Sequence, residues 1–221
     1  ARKFYKLQEL TKPYLNRFGV GGLGLHDLGM RLAENWKGAG ASSDIAGFDT
    51  RIGVSLLGME SDFIKQLGGD DICESFYRIY AHPHILIPKP GSFRRSELLR
   101  GRGQRMSGTR PTYVMNTITR LAISILQMTE CYKVENYAQF AEEVMAGKIN
   151  VAGVISGDDE HFTSTIEIVR KYANTGRLLE DIGFPRKDMP PNVPSHLATR
   201  IEEVSFCSHN YEKVSYYDRQ R

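Results

Sequence analysis

One short segment constrains the fold more than any other. In VAGVISGDDEHF, residues 151–162, an apolar run ends in a glycine and two adjacent aspartates. Such a run is typical of a buried strand, and Gly157 allows the chain to turn sharply at its end. Neighbouring carboxylates repel each other unless water screens them or a cation lies between them. The segment therefore indicates either a solvated turn or a metal site at the end of a sheet.

The composition is that of a chain with a substantial core. Of its 221 residues 41% are hydrophobic, and the pI of about 8.7 fits a nucleic-acid partner without requiring one. Cys73, Cys131 and Cys207 are far apart and odd in number, which argues against a disulfide framework or a structural zinc cluster. No apolar run reaches the ~18 residues of a transmembrane segment. Because the chain begins at Ala1 and not at a methionine, we expect a piece of a longer polypeptide.

Helix and strand patterns alternate along the chain. Helices are predicted at residues 1–15, 25–36, from about 49 onwards, 109–126, 134–147 and about 163–172. Strands are predicted at 39–44, in the second half of 76–90, at 151–156 and as a hairpin within 204–217. Residues 93–108 have the composition of a basic, glycine-broken loop. Together these patterns favour an α+β fold, with helices on one face of a sheet.

A third aspartate follows another predicted strand. Asp44 ends the strand at 39–44. If this strand neighbours the one at 151–156, Asp44 lies beside the aspartate pair at one end of the sheet. Three converging carboxylates can hold two divalent cations ~3.5–4 Å apart for in-line phosphoryl displacement. Oxygen ligands favour Mg²⁺ or Mn²⁺ over softer metals.

The predicted helix at 109–126 carries a short polar stripe. Thr112 and Asn116 are four residues apart and therefore share one face. Such a stripe is commonly a solvated surface, and this alternative stays open. Its functional interpretation is recognition of a ribose 2′-hydroxyl, which both donates and accepts hydrogen bonds. Asp49 and Ser107 complete the candidate ribose-binding set.

Four ordered motifs resemble those of the flavivirus-type RNA-dependent RNA polymerases. The segments SSDIAGFDTRI (42–52), GQRMSGTRPTYVMNT (103–117), VISGDD (154–159) and VSFCSHNY (204–211) are similar to motifs A, B, C and E of that family. They occur in the family's order. Divergence outside the motifs favours a flavi-like relative, such as a segmented jingmenvirus type, over a typical mosquito-borne member.

The resemblance implies a right-hand polymerase fold. This chain would supply the palm, an antiparallel sheet with helices on one face, and part of the fingers. Residues 1–38 would be fingers-side helices that lead to the palm, and 39–90 would be palm with motif A. Residues 91–148 would hold the motif B loop and helix at the junction of fingers and palm. Residues 149–221 would be palm with motifs C, D and E.

The resemblance also implies roles for individual residues. Asp44, Asp158 and Asp159 would be the catalytic metal ligands, with Asp158 the stronger ligand of the adjacent pair. Lys187, in FPRKD, would protonate the departing pyrophosphate, although an exposed loop lysine is an alternative interpretation. The nucleotide would be bound through its ribose by Asp49, Ser107, Thr112 and Asn116. RNA would be contacted by Arg105, Gly108, Cys207 and Ser208.

The implied activity is RNA-templated RNA synthesis, by nucleotidyl transfer with two Mg²⁺ or Mn²⁺ ions, in viral genome replication and transcription. The implied partners are template and nascent RNA, nucleoside triphosphates and other viral replication proteins. The implied location is the host cytoplasm, at membrane-associated replication complexes. Two alternatives remain: a metal-dependent phosphoesterase that uses the same aspartates, and a non-catalytic RNA-binding fragment. We expect the isolated piece not to polymerise.

Overall fold

The computed structural model describes residues 18–91, 96–106, 112–187 and 189–212, so the helix predicted at 1–15 lies outside the described residues. The chain divides into two compact units. The first unit contains the described residues of 47–116, and the second contains those of 18–46 and 117–212.

Helices and short strands alternate within the described residues. The α-helices are α1 (Leu25–Asn35), α2 (Phe48–Arg51), α3 (Val54–Gln66), α4 (Asp71–Ala81), α5 (Thr112–Tyr132), α6 (Tyr137–Met145), α7 (Ile166–Ala173) and α8 (Gly176–Asp181). The strands are β1 (Ala39–Ser42), β2 (His84–Pro88), β3 (Ser96–Arg100), β4 (Ala152–Ser156), β5 (Asp159–Ser164), β6 (Leu197–Ala198), β7 (Ser205–Phe206) and β8 (His209–Asn210). None of the helices described here is long and apolar enough to cross a membrane.

A four-stranded antiparallel sheet organises the second unit. Its strand order is β4-β5-β1-β6. The predicted contact between strands 39–44 and 151–156 is therefore wrong, because β5 lies between β1 and β4. The chain stays extended through Ser164 after the aspartate turn, and the helix expected from about 163 begins only at Ile166.

Helices cover both faces of this sheet, whereas the sequence predicted helices on one face. Neighbouring strand residues point to opposite faces. Accordingly, Ile155 packs in a core cluster with Met128 of α5 and Val169 of α7, while Val154 packs in a second cluster with Leu28 of α1. Strand β4 is buried on both faces because the apolar residues of its run do not alternate with polar ones.

The first unit combines helices with an antiparallel hairpin. Helices α3 and α4 contribute buried side chains, including Leu57, Ile64 and Tyr77. Strands β2 and β3 pair antiparallel, so part of the segment predicted as a basic loop at 93–108 is a strand. The apolar run of β2 finds its partner in the Leu98–Leu99 segment of β3, a pairing that composition alone did not indicate.

Candidate catalytic site

The aspartate pair lies at the tip of the β4–β5 hairpin in the second unit. Ser156 pairs with Asp159, which leaves Gly157 and Asp158 as the turn. Gly157 has φ of 65°, in the left-handed region that glycine adopts without steric cost. Its backbone N–H donates to Thr117 Oγ1 at 3.0 Å. The turn is therefore sharp, and the hydrogen bond to Thr117 attaches it to helix α5.

Asp44 reaches the same end of the sheet from β1. Ser42 pairs with His161 in the antiparallel register. Asp44 is two residues after Ser42, and Asp159 is two residues before His161. The two carboxylate-bearing residues thus leave neighbouring strands at one level of the sheet. The sequence predicted this shared end correctly, although it paired Asp44 with the wrong strand of the hairpin.

The carboxylates influence one another electrostatically. The pKa of Asp159 is raised, first by its burial and then by the negative charges of Asp158 and Asp44. The Cys207 thiol hydrogen-bonds to the Asp159 carboxylate and opposes this shift. Like charges disfavour ionisation of their neighbour, so a cation at this place would relieve the repulsion. The donors are carboxylate oxygens, the chemistry that Mg²⁺ and Mn²⁺ prefer.

In the described residues, these carboxylates do not form a complete metal-binding site. Among the described residues, no group of three or more His, Cys, Asp or Glu side chains is arranged so that it could hold a metal ion. The side chain of Asp44 is 57% exposed. The chemistry of the donors therefore fits a divalent cation, while the protein alone does not bring them onto one point.

Lys187 lies beside Asp44. Its Nζ is 3.5 Å from Asp44 Oδ2, and its backbone N–H donates to Asp44 O at 2.8 Å. The adjacent Arg186 forms an isolated antiparallel bridge with Ile45, and its buried guanidinium donates to the carbonyl of Ala173, the last residue of α7, at 3.1 Å. Both charged side chains of the Lys187–Asp44 pair are exposed, so the pair contributes only ~0–1 kcal/mol to stability. Its backbone attachment, rather than the ion pair, fixes Lys187 near Asp44.

A buried polar network under the turn was missed by sequence reasoning. Glu160 follows the aspartate pair directly and is 5% exposed. It accepts hydrogen bonds from Arg120, Ser124 and the Tyr172 hydroxyl. Burial and the negative charge of Glu160 raise the pKa of Tyr172 well above its usual range. The available signal was the arginine in the largely apolar stretch that follows motif B, together with the glutamate that directly follows the aspartate pair.

The first unit contains two members of the candidate ribose-binding set, Asp49 and Asn116. Asn116 Nδ2 donates to Asp49 Oδ1 at 2.7 Å. Asn116 is 4% exposed, and Asp49 is half-buried. Two members of the candidate set that are far apart in the sequence are therefore hydrogen-bonded to each other in the structure.

Arg105 has an internal structural role, not the predicted contact with RNA. It is 3% exposed. Its Nε donates to Asn116 Oδ1 at 3.0 Å, and its Nη1 donates to a carboxylate oxygen of Glu60 at 2.8 Å. A guanidinium that is buried and bonded in this way does not face an RNA phosphate. The sequence showed a basic run but gave no sign of the acidic partner on α3.

Of the remaining predicted site residues, three lie in the described part of the chain and two lie outside it. Thr112 Oγ1 donates to the carbonyl of Met106 at 2.8 Å, which ties the start of α5 to the preceding segment. Cys207 and Ser208 form the tight turn between β7 and β8, with φ of 51° and 60°. Ser107 and Gly108 lie outside the described residues.

The chain has an α+β fold in which an antiparallel sheet presents aspartates from two strands at one end. The family model described as flavivirus RNA-directed RNA polymerase, fingers and palm domains, matches residues 15–196. The chain belongs to this family.

Curated relatives agree with that membership. The chain is 30% identical over 226 residues to the genome polyprotein of Mosquito cell fusing agent, a match that covers 90% of the chain and 6% of the polyprotein. It is 26% identical to the genome polyprotein of Usutu virus over 89% of the chain, and 27% identical to that of Alkhumra hemorrhagic fever virus over 92%. The chain spans about 6% of the length of each of these polyproteins.

Proposed function

We propose that the protein containing this chain synthesises RNA on an RNA template, with Asp44, Asp158 and Asp159 as ligands of Mg²⁺ or Mn²⁺. The observation that carries the proposal is the meeting of two aspartate-bearing strand ends in a chain that belongs to a polymerase family. The right-hand arrangement, with this chain as palm and part of the fingers, is part of the same proposal. These three carboxylates would hold the cations, which would lower the pKa of the attacking hydroxyl and stabilise the charge of the leaving pyrophosphate.

The protein's own groups prepare that site. The raised pKa of Asp159 reflects burial and repulsion from Asp158 and Asp44, and this repulsion favours the uptake of a cation. We assign Lys187 the role of donating a proton to the departing pyrophosphate. Its backbone hydrogen bond to Asp44 keeps its ammonium group near the carboxylates.

Asp49 and Asn116 favour a polymerase over a phosphoesterase. Asn116 donates to one carboxylate oxygen of Asp49 and thereby orients the carboxylate. A carboxylate fixed in this way is suited to accept a hydrogen bond from a ribose 2′-hydroxyl. A hydrolase acting through the aspartate turn has no use for a ribose reader. Ser107 and Thr112 belong to the same proposed set.

The RNA contacts and the surroundings of the enzyme complete the proposal. Cys207 and Ser208 lie in the β7–β8 turn, and Cys207 also touches Asp159. We assign this turn to support of the growing strand, and Gly108 to contact with the template. The substrates are nucleoside triphosphates, and the partners are RNA and other viral replication proteins. The place of action is the host cytoplasm, at membrane-associated replication complexes.

The test is Asp158→Asn in the complete polymerase. The amide keeps the shape of the side chain but removes the charge that binds a cation, so nucleotide incorporation is expected to fall at least about a hundredfold. RNA affinity, measured by fluorescence anisotropy, is expected to stay within about twofold because a single carboxylate contributes little to phosphate contacts. The matched control is Asp181→Asn, an exposed aspartate on α8.

The outcomes separate the candidate functions. Full incorporation by the Asp158→Asn enzyme would reject the metal assignment. If the unmodified enzyme hydrolysed phosphoesters but incorporated no nucleotide, the phosphoesterase would replace the polymerase. Binding of RNA without either reaction would leave only the RNA-binding alternative.

A further inference from the structure

Helix α5 contacts the segment of the aspartate turn at two places. These are Gly157, the first residue of the turn, and Glu160, the residue that follows Asp159. Thr117 Oγ1 accepts the hydrogen bond of the Gly157 N–H at 3.0 Å. One helical turn later, Arg120 forms an ion pair with Glu160. Thr117 and Arg120 are three residues apart and share a helix face. Helix α5 therefore contacts the segment that carries Asp158 and Asp159 at both of its ends.

Arg120 also reaches the strand that carries the third aspartate. Its Nη2 donates to Ser43 O at 3.1 Å and to Ser43 Oγ at 2.7 Å. Ser43 directly precedes Asp44, and Glu160 directly follows Asp159. One guanidinium therefore joins the immediate neighbours of the carboxylates on β1 and β5.

The bracket formed by Arg120, Glu160 and Ser43 is fully enclosed. Arg120 is 0% exposed, and Glu160 and Ser43 are each 5% exposed. Ser124 and Tyr172 add further hydrogen bonds to Glu160. Groups bonded this densely in a low-dielectric interior have little freedom to move. The positive charge of Arg120 partly offsets the rise in the pKa of Asp159 that burial and the neighbouring carboxylates cause.

We infer that Arg120 and Thr117 are positioning residues that set the spacing between Asp44 and the Asp158–Asp159 turn. This inference rests on the proposed function, because the spacing matters only if the carboxylates act together. Neither side chain needs to touch substrate or metal. A displacement of about 1 Å at reacting groups can cost roughly a hundredfold in rate, so a bracket of this kind has a direct effect on turnover.

The competing explanation is that the buried network serves stability alone. Buried ion pairs are weak evidence for stability, since well-packed apolar residues of similar volume often replace them without loss. Stability and positioning therefore predict different results for variants that keep the packing and remove the polar contacts. The chain offers two such variants.

The first test compares Thr117→Val with Thr117→Ser in the complete polymerase. Valine keeps the volume and removes the acceptor, whereas serine keeps the hydroxyl. Positioning predicts that Thr117→Val loses hydrogen-exchange protection at the Gly157 amide and has kcat about tenfold lower, with KM for nucleoside triphosphate within about twofold. Thr117→Ser is expected to restore both. Wild-type protection and kcat in Thr117→Val would overturn the inference.

The second test is the double variant Arg120→Met with Glu160→Met. It removes both charges together, so that neither is left unpaired in the core. We expect a melting temperature within a few degrees of wild type and a kcat about tenfold lower, with the KM for nucleoside triphosphate unchanged. Arg177→Met, at an exposed arginine of α8, is the control. A folded double variant with wild-type kcat would contradict the positioning role.

The two proposals fail in different ways. The exchange rate of the Gly157 amide reports the Thr117 contact whether or not the protein polymerises. Loss of that protection in Thr117→Val, together with full activity of Asp158→Asn, would keep the contact and reject the proposed function. Wild-type protection in Thr117→Val, together with an inactive Asp158→Asn enzyme, would keep the proposed function and reject the positioning role of Thr117.

Discussion

At the residue scale, the catalytic candidates differ in how much of their geometry the protein itself fixes. Asp49 is oriented by Asn116, which is in turn held by Arg105. Asp44 has an exposed side chain beside Lys187. The carboxylate of Asp49 is thus oriented by a hydrogen bond within the protein, whereas the carboxylate of Asp44 is exposed.

The Asp49–Asn116 pair gives a prediction about sugar selection. Asp49→Ala removes the proposed acceptor for the 2′-hydroxyl. The ratio of kcat/KM for a ribonucleotide to that for the matching deoxynucleotide should fall roughly ten- to hundredfold, the value of one hydrogen bond to a charged group. Single-nucleotide incorporation kinetics measure this ratio.

Asp62→Ala, at an exposed position of α3, is the matched control and should leave the ratio unchanged. An unchanged ratio in Asp49→Ala would remove this residue from the ribose-binding set. Equal losses for both sugars would show a general role in nucleotide binding instead.

Individual residues differ in whether the sequence indicated their place in the candidate site. The motif resemblance selected Asp49, Asn116 and the aspartate turn as candidate site residues, because these residues lie in the segments that resemble the family's motifs. It misassigned Arg105, since a basic run looks the same whether its charges face solvent or a buried acid. Glu60 gives no local signal: only the packing of α3 brings it to Arg105.

At the element scale, the strand order decides which groups meet. Antiparallel pairing of β1 with β5 places Asp44 level with Asp159. The sequence predicted β1 and β4, but it extended the helix after the turn back into β5. The reason is physical: EHFTS carries polar residues at buried positions, where Glu160 and His161 are bonded internally, so its pattern did not indicate a strand. A long-range partner such as Arg120 cannot be read from local periodicity.

The ion pair between Arg105 and Glu60 gives a prediction about how elements are held together. It joins the segment before α5 to helix α3, and both side chains are buried. Arg105→Met leaves the Glu60 charge without its partner and should lower the free energy of unfolding by about 3–5 kcal/mol. Chemical denaturation of the variant measures this loss.

The double variant Arg105→Met with Glu60→Met is the control, and it should recover most of the lost stability because no unpaired charge remains. RNA affinity should stay within about twofold in the double variant. A large loss of RNA affinity with unchanged stability would restore Arg105 to the RNA-contacting set.

At the scale of the whole molecule, family membership and site geometry both support the proposed polymerase function. The family match covers residues 15–196, and the aspartate-bearing strand ends lie together within the second unit. The curated relatives are polyproteins of which the chain spans about 6%. The proposed activity therefore belongs to the protein that contains this chain, and the variants are to be made in that protein.

The most direct measurement is a crystal structure of the complete polymerase with RNA, a nucleotide and Mn²⁺, with the metal located by anomalous scattering. We expect Mn²⁺ bound by the carboxylates of Asp44 and Asp158, with Asp159 within reach of the same site. Mn²⁺ bound elsewhere in an active complex, with these three side chains uninvolved, would contradict this metal assignment.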